Sequence, residues 1–507
     1  MNILNRKSDT MKSKTSHITI FLAIGKILAM IMNLVTPLFL TRYLSKGDYG
    51  IYSQFNTVFL FLSSVLGMGL QSNLYFFYPS TKDKTECSKL LGNTFSLLSV
   101  CVSIGLLIVV IPPISHWLLG DSGLNKFIGI ILLTTWLNVP TRILDPLFTL
   151  NGDRNASMFF PPIEVIGKVI LIIFFALLFN TLEGILWSVC VFQAGCYLYS
   201  LIYAARSGMP FCFWQSFDKN ICRKQLSYSI PFGVAVLLNT LCSRLDKIIC
   251  ISYLTIEDYA IYSLAFFGIP GIMQVYDSLC QVNVMEMSKA YHGADNYRIL
   301  ELYKSFVVKT LSFSLPIILI VFLFSRQIII LLFTEKYSES VPFFQIYILT
   351  FIVAMLGAGT ILRAINHTRR SMYAYALSTI IFIPSSFYLI RFYGMWGAMG
   401  SALIGNLLPR IFQIMIEMKL MHCSIADYFP IRKILKIILI SFLCLVPVVW
   451  LNHTFLLNVW ICAIVGFIYI ILVYALELLI DVFLINKQIS LHYIHGIRKY
   501  FKGNDQN

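Results

Sequence analysis

Charged and amide side chains interrupt apolar stretches at Lys26, Asn33, Arg244, Lys247, Gln274, Asp277 and Arg410. Lys26, Asn33 and Pro37 recur at offsets of seven and four, which sets them on one helical face. The segment NTLCSRLDK places Asn239, Ser243 and Asp246 on one stripe, with Arg244 and Lys247 beside it. Pro270, Gln274, Asp277 and Gln281 share a face, as do Asn406, Arg410, Gln413 and Glu417. Ser63, Gly67 and Gln71 add a weaker polar line, and Glu164 and Lys168 form an i,i+4 pair.

In a membrane such groups are costly, and they turn toward a cavity or toward each other. A cavity lined by Lys and Arg attracts an anion, more strongly at low dielectric. The planar fork of arginine suits a phosphate, so a lipid pyrophosphate headgroup is a natural cargo and a hydrophobic cationic drug a poor one. Asp277 either pairs with Arg244 across neighbouring helices or titrates as a coupling group. Plainer roles compete. Glu164 and Lys168 neutralise each other near the inner interface, and Lys247, Arg410 and Glu417 snorkel to a membrane surface. Lys26 and Arg244 lie several residues from any helix end and are the harder to explain that way.

No motif supplies a reaction. There is no phosphate-binding P-loop, and no loop is long enough for the catalytic domain of a glycan polymerase or ligase. The twelve cysteines include no CxxC and no Cys/His metal spacing, so they read as small apolar residues.

The elements that must hold these residues are membrane helices. The chain has 507 residues, of which 58% are hydrophobic and 12% charged, with mean hydropathy +0.77. That is too little polar surface to cover a soluble globule. Apolar runs of the length a spanning helix needs recur almost end to end, and the alternating pattern of a barrel is absent. The reading is an all-α polytopic protein of about fourteen spans. Those that matter below are expected at 17–41, 49–74, 126–149, 158–179, 226–252, 259–283, 341–363, 372–391, 395–416, 433–451 and 457–483. Basic residues concentrate on alternate loops. With a cytoplasmic N-terminus, the outer loops hold only Arg42, Lys46, Lys126, Arg326, Lys336 and Arg391. The net charge of +15 therefore reflects membrane topology and gives no ground for nucleic-acid binding.

One short stretch is written twice. YLSKGDYGIYS (Tyr43 to Ser53) returns as YLTIEDYAIYS (Tyr253 to Ser263), identical at seven of eleven positions. The copies join the first span to the second and the seventh to the eighth. Six spans separate them, so both face the same side and the halves run parallel. NGDRNASM (Asn151 to Met158) and NHTRRSM (Asn366 to Met372) echo each other after the fourth and tenth spans. An internal duplication of six plus six helices is expected, with the first lobe at 1–206, the second at 207–419, and a helix pair with a cytoplasmic tail at 420–507. Two such halves rocking about a central cavity give alternating access.

The stretch TPLFLTRYLSKGDYGIYSQFNTVFLFLSSVLGMGLQSNLYFFYP (Thr36 to Pro79) resembles the opening of the polysaccharide biosynthesis flippases. These are the Wzx-type O-antigen and capsule repeat-unit translocases of the multidrug/oligosaccharidyl-lipid/polysaccharide exporter superfamily. Arg42, Tyr43, Leu44, Tyr49, Gly50, Gly67 and Gly69 match the family pattern, and Ser45 stands where glycine is common. The resemblance implies a V-shaped pair of six-helix lobes, with two added C-terminal helices. It implies transfer of an undecaprenyl-pyrophosphate-linked glycan to the outer leaflet of a bacterial inner membrane, with both termini cytoplasmic. The implied partners are that glycan, membrane lipid, and the polysaccharide polymerase and chain-length machinery. No cofactor is implied beyond a coupling ion, H+ or Na+. The family's cationic lumen and ion-coupled antiport, carried onto this chain, give Lys26, Arg244 and Asp277 as candidates, then Lys247 and Arg410; the departure is that charges are sparse outside the seventh span, which leaves the coupling group unassigned. The alternatives are a multidrug exporter of the same superfamily, which wants acidic cavity residues, the lipid II flippase, and a glycan polymerase or ligase.

Overall fold

The computed structural model describes residues 29, 31–78, 83–120, 123–151, 153–209, 218–269, 271–293, 295–455 and 459–479. Among them there is no strand. In chain order the helices are α1 (31–43), α2 (Lys46–Gly67), α3 (Asn73–Phe77), α4 (Lys84–Val109), α5 (Pro112–Leu119), α6 (Ile128–Thr141), α7 (Leu144–Leu150), α8 (Arg154–Phe179), α9 (Leu182–Arg206) and α10 (Lys219–Tyr253). There follow α11 (Ile256–Leu264), α12 (Ile272–His292), α13 (Asn296–Leu323), α14 (Ser325–Phe333), α15 (Val341–Ala354), α16 (Thr360–Ala364), α17 (Thr368–Leu420), α18 (Ile425–Tyr428), α19 (Ile431–Phe455) and α20 (Val459–Leu479).

Nine helical stretches among the described residues are long and apolar enough to cross a membrane. The longest of them holds two of the expected spans, because α17 leaves helical geometry at Gly394 (φ 54°, ψ −130°). Most of the first expected span lies outside the described residues. Four expected spans differ from a continuous helix. The second stops after Gly67, where Met68 and Gly69 are left-handed, and restarts as a short 3-10 turn and α3. The fourth divides at Arg142 and Ile143, just past Pro140, into α6 and α7. The eighth divides into α11 and α12 before Gly271 (φ 92°). The tenth divides into α15 and α16 around Gly357 and Gly359, both at positive φ. Glycine adopts that conformation without steric cost, and proline withdraws a helix hydrogen bond, so apolar runs containing them break where neighbours re-satisfy the backbone.

The broken spans fall at matching places in the duplication, second with eighth and fourth with tenth. The order of elements repeats as well. α4, α5, a 3-10 turn (Gly123–Phe127), α6 and α7 are followed by the long α8; α13, α14, a 3-10 turn (Glu335–Ser340), α15 and α16 are followed by the long α17. Among the described residues, helices α18 to α20 fall outside this repeated order.

By internal contact the chain divides into two compact units. The first comprises 1–274, 332–347 and 371–412, and the second 275–331, 348–370 and 413–507. In the first unit the two copies of the repeated stretch meet. Ser45 and Thr255 cap α2 and α11 with the same geometry, φ −63° and ψ 162° against φ −65° and ψ 159°. Each side-chain oxygen accepts from the N–H three residues on, Asp48 N at 3.0 Å and Asp258 N at 3.1 Å. Tyr259 Oη bonds Thr57 Oγ1 across the pair at 2.7 Å. Gly50 lies against the Ile256 backbone, and a Cβ there would overlap the Ile256 carbonyl oxygen. Gly50→Ala is expected to destabilise the folded protein by about 1–3 kcal/mol through overpacking. A thermal melt in detergent reads this, and an unchanged melting temperature would contradict the contact.

The start of α10 is tied to α4. Asn93 Nδ2 donates to the Asp218 carbonyl at 2.9 Å, and Asp218 N donates to Asn93 Oδ1 at 3.0 Å. Gln225 Nε2 reaches Thr94 Oγ1 at 2.9 Å. The Asp218 carboxylate caps α10 by accepting from Ile221 N and Asn220 N, with Lys89 3.5 Å away. Those amides, more than Lys89, hold its carboxyl below the usual carboxylate range. A depressed native value stabilises above the unfolded value and is lost as pH falls through the native one. The cap is therefore expected to persist at neutral pH and fail only below about pH 4. Asp218→Asn is expected to remove that acidic step from a melting-temperature profile.

The second unit holds a buried carboxylate. The sequence left Glu417 either on a polar face turned to a cavity or snorkelling to a membrane surface; its side chain is fully buried. Glu417 Oε1 accepts from Leu362 N at 3.0 Å, at the start of α16, and Oε2 accepts from the Tyr428 hydroxyl at 2.6 Å. The rest of the break is held from α13, where Tyr303 Oη donates to the Leu356 carbonyl at 2.7 Å and Thr310 Oγ1 to that of Met355 at 2.9 Å. Gln413 packs on Gly359, where a Cβ would lie 2.9 Å from its Oε1.

Candidate functional site

Several charges of the first unit form a network around α10. Arg244, half-buried on that helix, lies within electrostatic reach of Asp246. It is also within reach of Arg142, which occupies the break between α6 and α7. The Arg142 side chain lies along Gly67, whose Cβ would sit 3.5 Å from Arg142 Cδ. A Cβ would only touch the Arg142 side chain here, and a longer side chain at the end of α2 would compete with the guanidinium for this space. Asp145 on α7 interacts with both Arg142 and Glu164, and Glu164 with Lys168, extending the network onto α8. Glu164 also lines an open apolar groove of ≈ 430 Å3 between α8 and α9.

On the other side, Asp246 is 3% exposed. The Tyr262 hydroxyl lies 3.1 Å from both Asp246 Oδ2 and the Ala398 carbonyl. Tyr262 belongs to the second copy of the repeated stretch, so the duplication supplies the residue that anchors this carboxylate. Lys247 Nζ sits 4.3 Å from the centre of the Phe266 ring, a cation–π contact. Phe266 packs on Tyr347 with ring centres 4.8 Å apart, and Tyr347 interacts with Arg410. Arg410 Nη1 donates to the Asn406 carbonyl at 2.8 Å.

Of the residues expected from sequence, this network gathers Arg244, Lys247 and Arg410. Lys26 lies outside the described residues. Asn33 is exposed on α1. Gln274 Oε1 accepts from Gly271 N at 3.1 Å and so supports the start of α12. Asp277 is exposed on α12 and belongs to the second unit. The sequence reading missed Arg142, because the run 126–149 passed as one apolar helix. The signal was an arginine two residues beyond Pro140. Arg363 was missed in the same way; it follows the break in the tenth span, and its Nη2 reaches Cys280 Sγ at 3.1 Å.

The residues shared with the family pattern are joints of the first unit. Arg42 Nη1 donates to the Leu38 and Leu332 carbonyls at 2.8 and 2.7 Å. Tyr43 Oη lies 2.6 Å from the Ala176 carbonyl and from Asn180 Oδ1. Tyr49 packs edge-on to Tyr337, ring centres 5.8 Å apart. With Gly50 against Ile256 and Gly67 against Arg142, these positions fix packing.

The profile of the polysaccharide biosynthesis protein family matches residues 18–275. The chain belongs to this family. Among solved structures it is similar to the lipid II flippase MurJ in an inward closed conformation, at 16% identity and TM-score 0.72, over 90% of this chain and 98% of that one. It is also similar to an inward-facing multidrug resistance MATE transporter of the MOP superfamily, at 13% identity and TM-score 0.62, over 80% and 98%. It is similar as well to a MOP superfamily transporter from Pyrococcus furiosus with a binding pocket of reverse polarity, at 13% identity and TM-score 0.55, over 80% and 96%. At these identities the likeness is one of fold. No curated protein sequence matches significantly. The family member described here is thus a multi-pass membrane protein with the fold shared by MurJ and the MATE transporters.

Proposed function

We propose that this protein flips a polyprenyl-pyrophosphate-linked oligosaccharide from the cytoplasmic to the outer leaflet of a bacterial inner membrane, for assembly of a surface polysaccharide. The observation that carries the reading is the pair Arg142 and Arg244, two guanidiniums within each other's field. Like charges so placed repel, and an anion between them converts that repulsion into attraction on both sides. A pyrophosphate offers two charged groups to two planar forks. Membership of the polysaccharide biosynthesis family supports a lipid-linked glycan as the molecule that carries such a headgroup. A transporter of hydrophobic cations needs the opposite balance of charge, which disfavours the multidrug alternative. In this reading the duplicated halves, 1–206 and 207–419, are the moving lobes, and both termini are cytoplasmic. The protein acts as a carrier and not as an enzyme, and it hands its cargo to the polymerase and chain-length machinery.

Deleting the gene tests this. The expected result is loss of surface glycan, with complete lipid-linked repeat units accumulating in the membrane. Unchanged glycan together with greater sensitivity to cationic drugs would move the protein to the multidrug branch.

A further inference from the structure

Outside the charge network, one group has no evident structural task. Glu477 lies on α20, in the C-terminal helix pair that falls outside the repeated order of elements. Its side chain is fully buried, and among the described residues neither carboxyl oxygen has a hydrogen-bond partner. Opposite it on α13 stands the Ser312 hydroxyl, which is within interaction range of the carboxyl yet likewise buried and without a hydrogen bond of normal geometry. The titratable neighbours are Tyr469 and Tyr474 on its own helix and Cys444 on α19. Both tyrosines are engaged elsewhere. Tyr474 Oη donates to the Phe313 carbonyl at 2.7 Å, and Tyr469 Oη to that of Ser441 at 3.0 Å. In this arrangement these bonds hold α20 against α13 and α19 around the carboxyl. Ser441 carries a further buried hydroxyl without a partner.

An ionised carboxylate in this position would lose its hydration with only the Ser312 hydroxyl in exchange, which does not make up the desolvation cost of a buried charge. The neutral acid escapes that cost, and its O–H can donate to Ser312 Oγ. A glutamine would fill the same shape and stay neutral at every pH. A group that can ionise, held where ionising forces its surroundings to rearrange, links proton occupancy to helix packing.

We propose that Glu477 is a proton-binding site in the C-terminal helix pair, loaded when α13, α19 and α20 are closed around it and emptied when they part. One proton from water adds to the carboxylate to give the neutral acid, and the same proton returns to water on release. Glu477 lies two residues before the end of α20, on the side followed by the basic C-terminal tail. With the cytoplasmic C-terminus of the proposed topology, that end of α20 exchanges protons with the cytoplasmic side.

Infrared difference spectroscopy on the purified full-length protein in lipid reads this without any substrate, so its outcome is separate from that of the flippase reading. The wild type is expected to show a protonated-carboxyl carbonyl band that fades reversibly as pH rises and is absent from Glu477→Gln. Ser312→Ala keeps the carboxyl and is expected to shift the band to higher frequency, because the acid loses its acceptor. That shift assigns the band even if Glu477→Gln fails to fold. A band that never responds to pH, or no band at any pH, would overturn the proposal. Loss of the band on adding sodium at fixed pH, without a response to pH, would replace the proton by sodium and overturn it equally.

Discussion

Arg142→Ala and Arg244→Ala are each expected to slow glycan translocation by about 10- to 100-fold while leaving the protein folded. Each guanidinium contributes charge-assisted bonds to a pyrophosphate worth about 1.5–3 kcal/mol, and 1.4 kcal/mol is a factor of ten. The double variant is expected to lose less than the product of the two single effects. Removing one arginine relieves the repulsion felt by the other, so the pair is coupled and not additive. Lysine at either position keeps the charge and loses the fork, so a partial defect is expected. The measurement is surface glycan formed per unit of membrane-inserted protein in a strain lacking the gene. Full activity in both alanine variants would remove the arginine pair from the mechanism. Gly67 refines the test. Its Cβ would only touch Arg142, so Gly67→Ala is expected to be tolerated, whereas Gly67→Leu displaces the guanidinium and should resemble Arg142→Ala.

Glu417→Ala is expected to cost about 2–5 kcal/mol of stability, a larger effect than any arginine variant has on folding. It strips the buried acceptor from Leu362 N and from the Tyr428 hydroxyl at once and leaves a void between α16, α17 and α18. Glu417→Gln keeps an acceptor of nearly the same size and is expected to cost less than half as much. The comparison of the two melts separates the hydrogen bonds from the volume. Equal and small losses for both variants would mean that the break in the tenth span is held by Tyr303, Thr310 and Gln413 alone. Protein stability is the right readout, because the bonds Glu417 accepts are internal to the second unit.

Much of the architecture was legible in the sequence because a bilayer imposes it. Long apolar runs must be helical, and the order of elements repeats along the chain as the copied stretch around Tyr49 and Tyr259 leads one to expect, while the compact units cut across the expected lobes. The breaks were not legible. Glycines and prolines are tolerated inside spans, and whether Gly69, Pro140, Gly271 or Gly357 ends a helix depends on what re-satisfies the backbone, which for the tenth span is Glu417, Tyr303 and Thr310 from distant segments. The site was legible by half for the same reason. Arg244 and Lys247 stood out as charges within a helix, but Arg142 and Arg363 mark breaks that hydropathy conceals. Asp246 was read as one residue of a stripe, and its partner Tyr262 could not be known without the fold. The family signature at Arg42, Tyr43 and Gly50 was readable because packing constrains it, and packing says nothing of cargo. That is why the family is plain while the glycan is a proposal.

The most direct test of the central claim is translocation itself. Purified protein is reconstituted into vesicles carrying a radiolabelled undecaprenyl-pyrophosphate-linked oligosaccharide, and external periodate, which does not cross the bilayer, oxidises the exposed sugars. Flipping predicts that protein-free vesicles protect the inner-leaflet share, that wild-type vesicles expose nearly all of the glycan, and that vesicles with Arg244→Ala stay close to the protein-free level. A protected share that is the same with and without folded wild-type protein would contradict the account.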